Sequence, residues 1–146
     1  MANEAKTVAP LFQLRGVELH ELTIHKPVPG VATPANFNFE VSVVANVDSN
    51  KKLVINATHV KIKGDKQDAI LGSITCACIF SVGNFEEVIT MKSETLAEIN
   101  ETFAETINSI SISTTRGVMF SELKGTTLHY AFLPIIDIKS LAKATV

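Results

Sequence analysis

Between Phe12 and Val82 apolar and polar side chains alternate, the period of strands that bury one face. Asn36 to Val47 is the clearest case. Phe37, Phe39, Val41, Val43, Ala45 and Val47 share one parity, Asn36, Asn38, Glu40, Ser42 and Asn46 take the other, and Val44 alone breaks the rule. Asp48-Ser49-Asn50 follows, a cluster that tolerates left-handed turn geometry, so Lys51 to Lys63 is predicted to return as the partner strand of a hairpin. In that return strand Leu53, Ile55 and Ala57 share a face while Val60 and Ile62 have the opposite parity. Such a break needs either a bulge near His59 or apolar residues on both sides. Phe12 to Lys26 shifts twice: Phe12 and Leu14 are in phase, Val17 and Leu19 move by one, and Leu22 and Ile24 move back. Bulges at both shifts are predicted, with Gly16 able to absorb the first, and contacts on two faces are the alternative.

A polar turn, Gly64 to Asp68, precedes a fourth strand over Ile70 to Val82, whose faces are Ile70, Ile74, Cys76, Cys78, Phe80 and Val82 on one side and Leu71, Ser73, Thr75, Ala77, Ile79 and Ser81 on the other. Lys26 to Pro34 holds Pro27, Pro29, Gly30 and Pro34, and each proline removes a ladder donor. The segment is read as a crossover loop, long enough to lead from the first strand to a non-adjacent place in the sheet. After Phe85 the period changes. Leu96, Ile99, Phe103, Ile107 and Ile110 recur at three- and four-residue steps, which predicts an amphipathic helix capped by Thr95 with Glu98, or by Ser93 one turn earlier. Its stripe serves a core and also suits helix packing between subunits. Ser111 to Thr115 reads as a weak helical end and Gly117 as the stop, and a short second helix is expected after Pro134, with Asp137 near its start.

The fold class is therefore α+β: a four-stranded antiparallel sheet with a long C-terminal helix and a short second helix on one face. At 146 residues one domain is expected over the whole chain, with residues 1–10 as a flexible N-terminus. With 46% of residues hydrophobic and 19% charged, there is more apolar surface than a small monomer hides, which points to an oligomer interface, an exposed groove, or both. A formal net charge of -2 gives no basic footprint for nucleic acid. Met1 to Pro10 lacks the apolar core of a signal peptide and no run approaches a membrane span, so a cytosolic location without membrane insertion is expected.

Chemistry is sparse. Cys76 and Cys78 lie two apart on one strand, with α-carbons about 7 Å apart, a spacing that suits two buried free thiols better than a bridge. His20, His25, His59 and His129 are scattered without metal-ligand spacing, and no cofactor is implied. Glu18 and His20 share a strand face and read first as a solvated surface, with an acid-base pair as the alternative. No nucleophile elbow or phosphate loop is present, so no enzyme is predicted.

From Phe12 to Leu141 the chain resembles SecB, the bacterial export chaperone, in three places. The first strand runs Phe12-Gln13-Leu14-Arg15 through Leu22-Thr23-Ile24 to Pro27, the fourth closes Ile79-Phe80-Ser81-Val82-Gly83, and Thr115-Arg116-Gly117 is followed by Leu133-Pro134-Ile135-Ile136-Asp137 and Leu141. The resemblance implies dimers joined through their sheets and two dimers packed through the long helices, a dimer or tetramer in which Leu96, Ile99, Phe103, Ile107 and Ile110 are candidates for the interface. It implies an ATP-independent holdase that keeps unfolded or nascent polypeptides in an apolar groove and passes some to the translocase motor. Groove candidates near the crossover and strand ends are Val28, Val31, Phe37, Phe39, Phe80, Phe85 and Phe120, each of which core packing would also explain. For the motor, Glu21 and Leu71 match the family's binding face, while His25 and Ser73 stand where it is acidic. A dedicated client such as an antitoxin is the other form the resemblance allows. A non-catalytic adaptor docking one folded partner by edge pairing is the competing class.

Overall fold

The computed structural model describes residues 9–27, 29–30, 34, 36–65 and 69–139. Strands β1 (Phe12–Ile24), β2 (Phe37–Asp48), β3 (Leu53–Gly64) and β4 (Ile70–Val82) form one antiparallel sheet in the order β1-β4-β3-β2. The proline-containing segment after β1 thus carries the chain across the sheet to the far edge. Next come a helical turn α1 (Phe85–Val88), a small hairpin of β5 (Ile89–Met91) and β6 (Ala97–Ile99), and the long helix α2 (Glu101–Leu123), which packs on β3 and β4. This is the α+β architecture expected, with a second helical turn at Ile138–Lys139 where the described residues end.

β1 changes register against β4 between Leu14 and Gly16 and again between Leu19 and Glu21, so the parity shifts in the sequence are bulges. The residues squeezed out are Arg15 and His20, and Arg15 Nε donates to Ser81 Oγ at 3.0 Å. β3 has no irregularity at His59. Val54, Asn56, Thr58, Val60 and Ile62 all point into the core, and the parity looked broken because two of these five are polar while Leu53, Ile55 and Ala57 are apolar on the other face, the alternative to a bulge. The β2–β3 turn is closed by Asp48 Oδ1, which accepts from the amides of Asn50 (3.1 Å) and Lys51 (3.0 Å), and the left-handed residue is Lys52 at φ 56°.

Helix α2 departs from the reading of its ends. Its N-cap is Asn100, whose Oδ1 accepts from the Phe103 amide at 3.1 Å. Ser93 instead closes the β5–β6 turn by accepting from the amides of Thr95 and Leu96, so Leu96 and Ile99 lie in a hairpin. Three- and four-residue spacing cannot tell the two apart over so few residues. At the other end the helix runs through Gly117 to Leu123, because Met119 and Leu123 are buried against the sheet, and the left-handed glycine that follows its end is Gly125 at φ +78°. The interior is costly to keep helical: the Ser, Ile and Thr residues of 111–117 each sit about 0.4–0.7 kcal/mol below Ala, and Gly117 about 1 kcal/mol.

The tail returns along α2. Arg116 donates from Nε to the Leu133 carbonyl and from Nη2 to that of Pro134, both at 2.8 Å, and Asp137 Oδ1 accepts from the Lys139 amide at the start of the terminal turn. Two hydrophobic clusters result. The tail cluster holds Val43, Val60, Ile62, Ile74, Ile112, Met119, Leu123, Leu128 and Leu133, and the α1 cluster holds Val54, Phe80, Val82, Phe85, Val88, Ile89, Phe103 and Ile107. Close packing fixes Gly72, where a Cβ would lie 2.6 Å from Leu128 Cδ1 and 2.8 Å from the Thr23 carbonyl oxygen. Of residues 1–10, expected to be flexible, Ala9 and Pro10 are described, and Asn84 donates to the Ala9 carbonyl and accepts from the amide of the following Leu11. Both cysteines are free and buried, and burial pushes their thiols up from the ordinary value.

Candidate apolar binding surface

An edge strand whose core-side residues lack a covering helix leaves them in water, and β1 is such a strand. Leu14, Val17 and Leu19 pair in register with Phe80, Cys78 and Cys76, on the side of the sheet that α2 occupies. They are nevertheless 45%, 44% and 43% exposed, whereas their β4 partners are fully buried. The strand is closed at both ends. Phe12 meets Phe80 and Phe103 edge-on, with ring centroids 5.9 and 5.3 Å apart, and Leu22 and Ile24 pack against the tail cluster. The result is an apolar strip along a strand whose outer backbone groups have no ladder partner among the described residues.

A second surface lies past the middle of α2. Phe120 stacks on Phe132 at 6.1 Å with 24° between planes, and both rings are more than half exposed. Tyr130 and Ile135, two residues before and three residues after Phe132 in the chain, are also exposed, at 74% and 96%. The two carbonyl bonds from Arg116 set the path of the chain here, so this ridge of apolar side chains is held in place. Exposed apolar residues in a contiguous group mark interaction surfaces in soluble proteins.

Of the groove residues expected from the sequence, Phe120 is on this ridge, Phe37 and Phe39 are half-buried on β2 against the tail cluster, and Phe80 and Phe85 are sealed in the α1 cluster. Val28 and Val31 lie outside the described residues. Among the interface residues, Leu96 is exposed, Ile99 and Ile110 are half-buried, and Phe103 and Ile107 are consumed by the protomer's own core. Leu14, Val17, Leu19, Tyr130, Phe132 and Ile135 were not among the expected groove or interface residues. The apolar stretch from Tyr130 to Ile136, interrupted by a proline, was the signal for the last three.

Leu71 is half-buried against the tail cluster, and Glu21 lies on the uncovered sheet face among hydroxyls. Its Oε1 accepts from Ser73 (2.6 Å) and Thr23 (2.7 Å), and its Oε2 from Thr75 (3.4 Å). The Ser73 bond, with Thr23 behind it, holds this carboxyl below its ordinary value. Ser73 is thus a donor to Glu21, and the neighbouring row carries His59, bonded to Thr75 at 2.6 Å, and Lys61. The face is mixed in charge. Glu18 and His20 do meet, at 2.8 Å, with both side chains about half in water. Among the described residues no three His, Cys, Asp or Glu side chains are grouped to hold a metal, and no helix is long and apolar enough to cross a membrane.

No protein-family model matches the chain, and no curated protein matches it. Among solved structures, it is similar to the Mycobacterium tuberculosis SecB-like chaperone Rv1957, solved in complex with a ChAD peptide from the Rv1956 HigA1 antitoxin. The TM-score is 0.53 and the identity 15%, over 86% of this chain and 90% of that one. The likeness establishes a SecB-like fold.

Proposed function

We propose that this protein is a SecB-like chaperone that holds unfolded or nascent polypeptides without ATP. The observation that carries the reading is the ridge of Phe120, Tyr130, Phe132 and Ile135, open to solvent on a fold whose mycobacterial counterpart was solved with a bound peptide. Each apolar client side chain buried there contributes roughly 1.5–3 kcal/mol, weak enough to release and strong enough to hold when several sites act on one client. Phe37 and Phe39 extend the proposed groove along β2, and Val28 and Val31, outside the described residues, stay candidates on the sequence alone. Phe80 and Phe85, sealed in the α1 cluster, are left out of the proposed groove.

The bare strip of β1 is assigned to a second copy, pairing edge to edge in a dimer, with Leu96, Ile99 and Ile110 available for assembly into a tetramer. A cytosolic, non-catalytic role follows from this reading, serving either export or a dedicated client such as an antitoxin. Docking on the translocase motor would use Glu21 and Leu71. The hydroxyl ring around Glu21 and the adjacent His59 and Lys61 favour a dedicated client.

The test is suppression of aggregation of several unrelated denatured proteins, without nucleotide, by the wild type and by Phe120→Ser/Phe132→Ser. Broad suppression that drops at least about tenfold in the variant supports the proposal, since two apolar contacts per site are lost. Suppression confined to one protein would instead support an adaptor, and an unimpaired variant would remove the ridge from the site.

A further inference from the structure

The core under α2 is apolar at both ends and polar between them. On the helix side of the sheet the register pairs of β3 and β4 run Val54–Phe80, Asn56–Cys78, Thr58–Cys76 and Val60–Ile74. Val54 and Phe80 join Phe103 and Ile107 in the α1 cluster, while Val60 and Ile74 join Ile112, Met119 and Leu123 in the tail cluster. The two middle pairs meet Asn108, Ser111 and Thr115 of α2, and all of these side chains are buried. The Cys78 thiol is in hydrogen-bond contact with Ser111 and the Cys76 thiol with Thr115, so the layer has two rungs across the junction of helix and sheet.

Donors and acceptors in this layer do not balance. Asn56 Nδ2 donates to Ser111 Oγ (2.8 Å) and to Asn108 Oδ1 (3.1 Å), and Thr115 Oγ1 donates to the Ser111 carbonyl (2.7 Å). Asn56 Oδ1, Thr58 Oγ1 and Asn108 Nδ2 have no protein partner among the described residues, and each is sealed from bulk solvent. Turning over both amides only exchanges the orphans: Asn56 Nδ2 and Asn108 Oδ1 take their places, and Thr58 is unchanged.

Buried polar groups in native proteins are paired with protein or with ordered water, and such a water makes about three hydrogen bonds. The small Ser, Thr, Cys and Asn side chains of the layer leave room for one, because the Phe, Ile and Met of the levels on either side set the distance between helix and sheet. Asn56 and Thr58, two apart on one strand face, stand about 7 Å from each other. Two hydrogen bonds of about 2.8 Å through one water span that gap once the side chains lean together. A metal ion does not suit the layer. It holds no carboxylate or imidazole, and burial, pushing both thiols up, keeps them protonated.

We propose that the junction of α2 with β3 and β4 is an internal hydration site, in which one water donates to Asn56 Oδ1 and accepts from Thr58 Oγ1, and water also accepts from Asn108 Nδ2. The bound water completes a polar layer that the side chains alone leave open. It ties the middle of α2 to the sheet between the two apolar anchors.

Oxygen-17 relaxation dispersion on the whole protein counts long-lived internal waters, and Thr58→Val keeps the shape of the side chain while removing its hydroxyl. The dispersion amplitude should fall in Thr58→Val by at least one water, and the urea midpoint should drop by about 0.5 M, as loss of one hydrogen bond implies. A hydroxyl without any partner gives the opposite sign, because valine relieves the fold of an unpaired group and the midpoint rises. Thr58→Ser keeps the hydroxyl and should retain the wild-type amplitude, which separates the bond to water from packing. Equal amplitudes in wild type and Thr58→Val overturn the site. So does a midpoint that rises or stays put in Thr58→Val, or a loss of amplitude in Thr58→Ser as large as that in Thr58→Val.

Discussion

Glu21 is a carboxylate whose surroundings give its charge a direction. Three hydroxyls donate to it, so its folded pKa lies below the ordinary 4.5. A depressed carboxylate stabilises the fold fully above the unfolded value, and that contribution is lost as pH falls through the lowered folded value. Glu21→Gln should therefore lose less stability than the wild type between about pH 5 and pH 3, starting from a lower value at neutral pH. Urea unfolding midpoints across that range check it, and parallel curves for the two proteins would remove Glu21 from the acid response. The same carboxylate was recognisable in the sequence as a surface acid on β1. That Ser73 donates to it was not, because the bond joins residues on different strands whose alignment depends on two bulges.

At the scale of elements, the N-terminus of α2 shows how local patterns compete. Asn100 accepts from the Phe103 amide, whereas Thr95 belongs to the preceding hairpin turn. Asn100→Ala should cost about 1 kcal/mol in urea unfolding, and Thr95→Ala should stay within about 0.5 kcal/mol. The reverse order would restore the earlier start of the helix. Strands were the more legible elements. The hairpin of β2 and β3 follows from parity together with the Asp48-Ser49-Asn50 turn, and parity marked both shifts in β1, where the register decided for bulges over contacts on two faces. Helix ends were less legible because Leu96 and Ile99 satisfy a helical spacing and a two-strand pairing equally.

For the whole molecule, much of the exposed apolar surface among the described residues falls on two surfaces of different kinds. The β1 strip offers a strand edge as well as side chains, and the Phe120–Phe132 ridge offers side chains alone. Val17→Lys places a charge in the middle of the strip, where it remains solvated in a lone protomer and is desolvated against a second copy. Sedimentation should show a dimer or larger assembly for the wild type and a monomer for Val17→Lys, with aggregation suppression weakened as valency falls. A monomeric wild type would return the strip to another partner.

What the amino-acid sequence determined by itself is the main sheet and its faces: four long strands, a crossover, the presence of a long helix after them, and the identity of the side chains on each parity. These are local properties, because backbone geometry sends neighbouring side chains to known sides. Tertiary structure decided which of those faces is covered. Phe80 and Leu14 are paired residues on the same side of the sheet, yet one is sealed and the other open, because α2 lies over β3 and β4 and reaches β1 through Phe103 at Phe12. Exposure is set by what lies across the interface, and the seam of Asn56, Thr58 and Asn108 exists only where β3 and α2 meet.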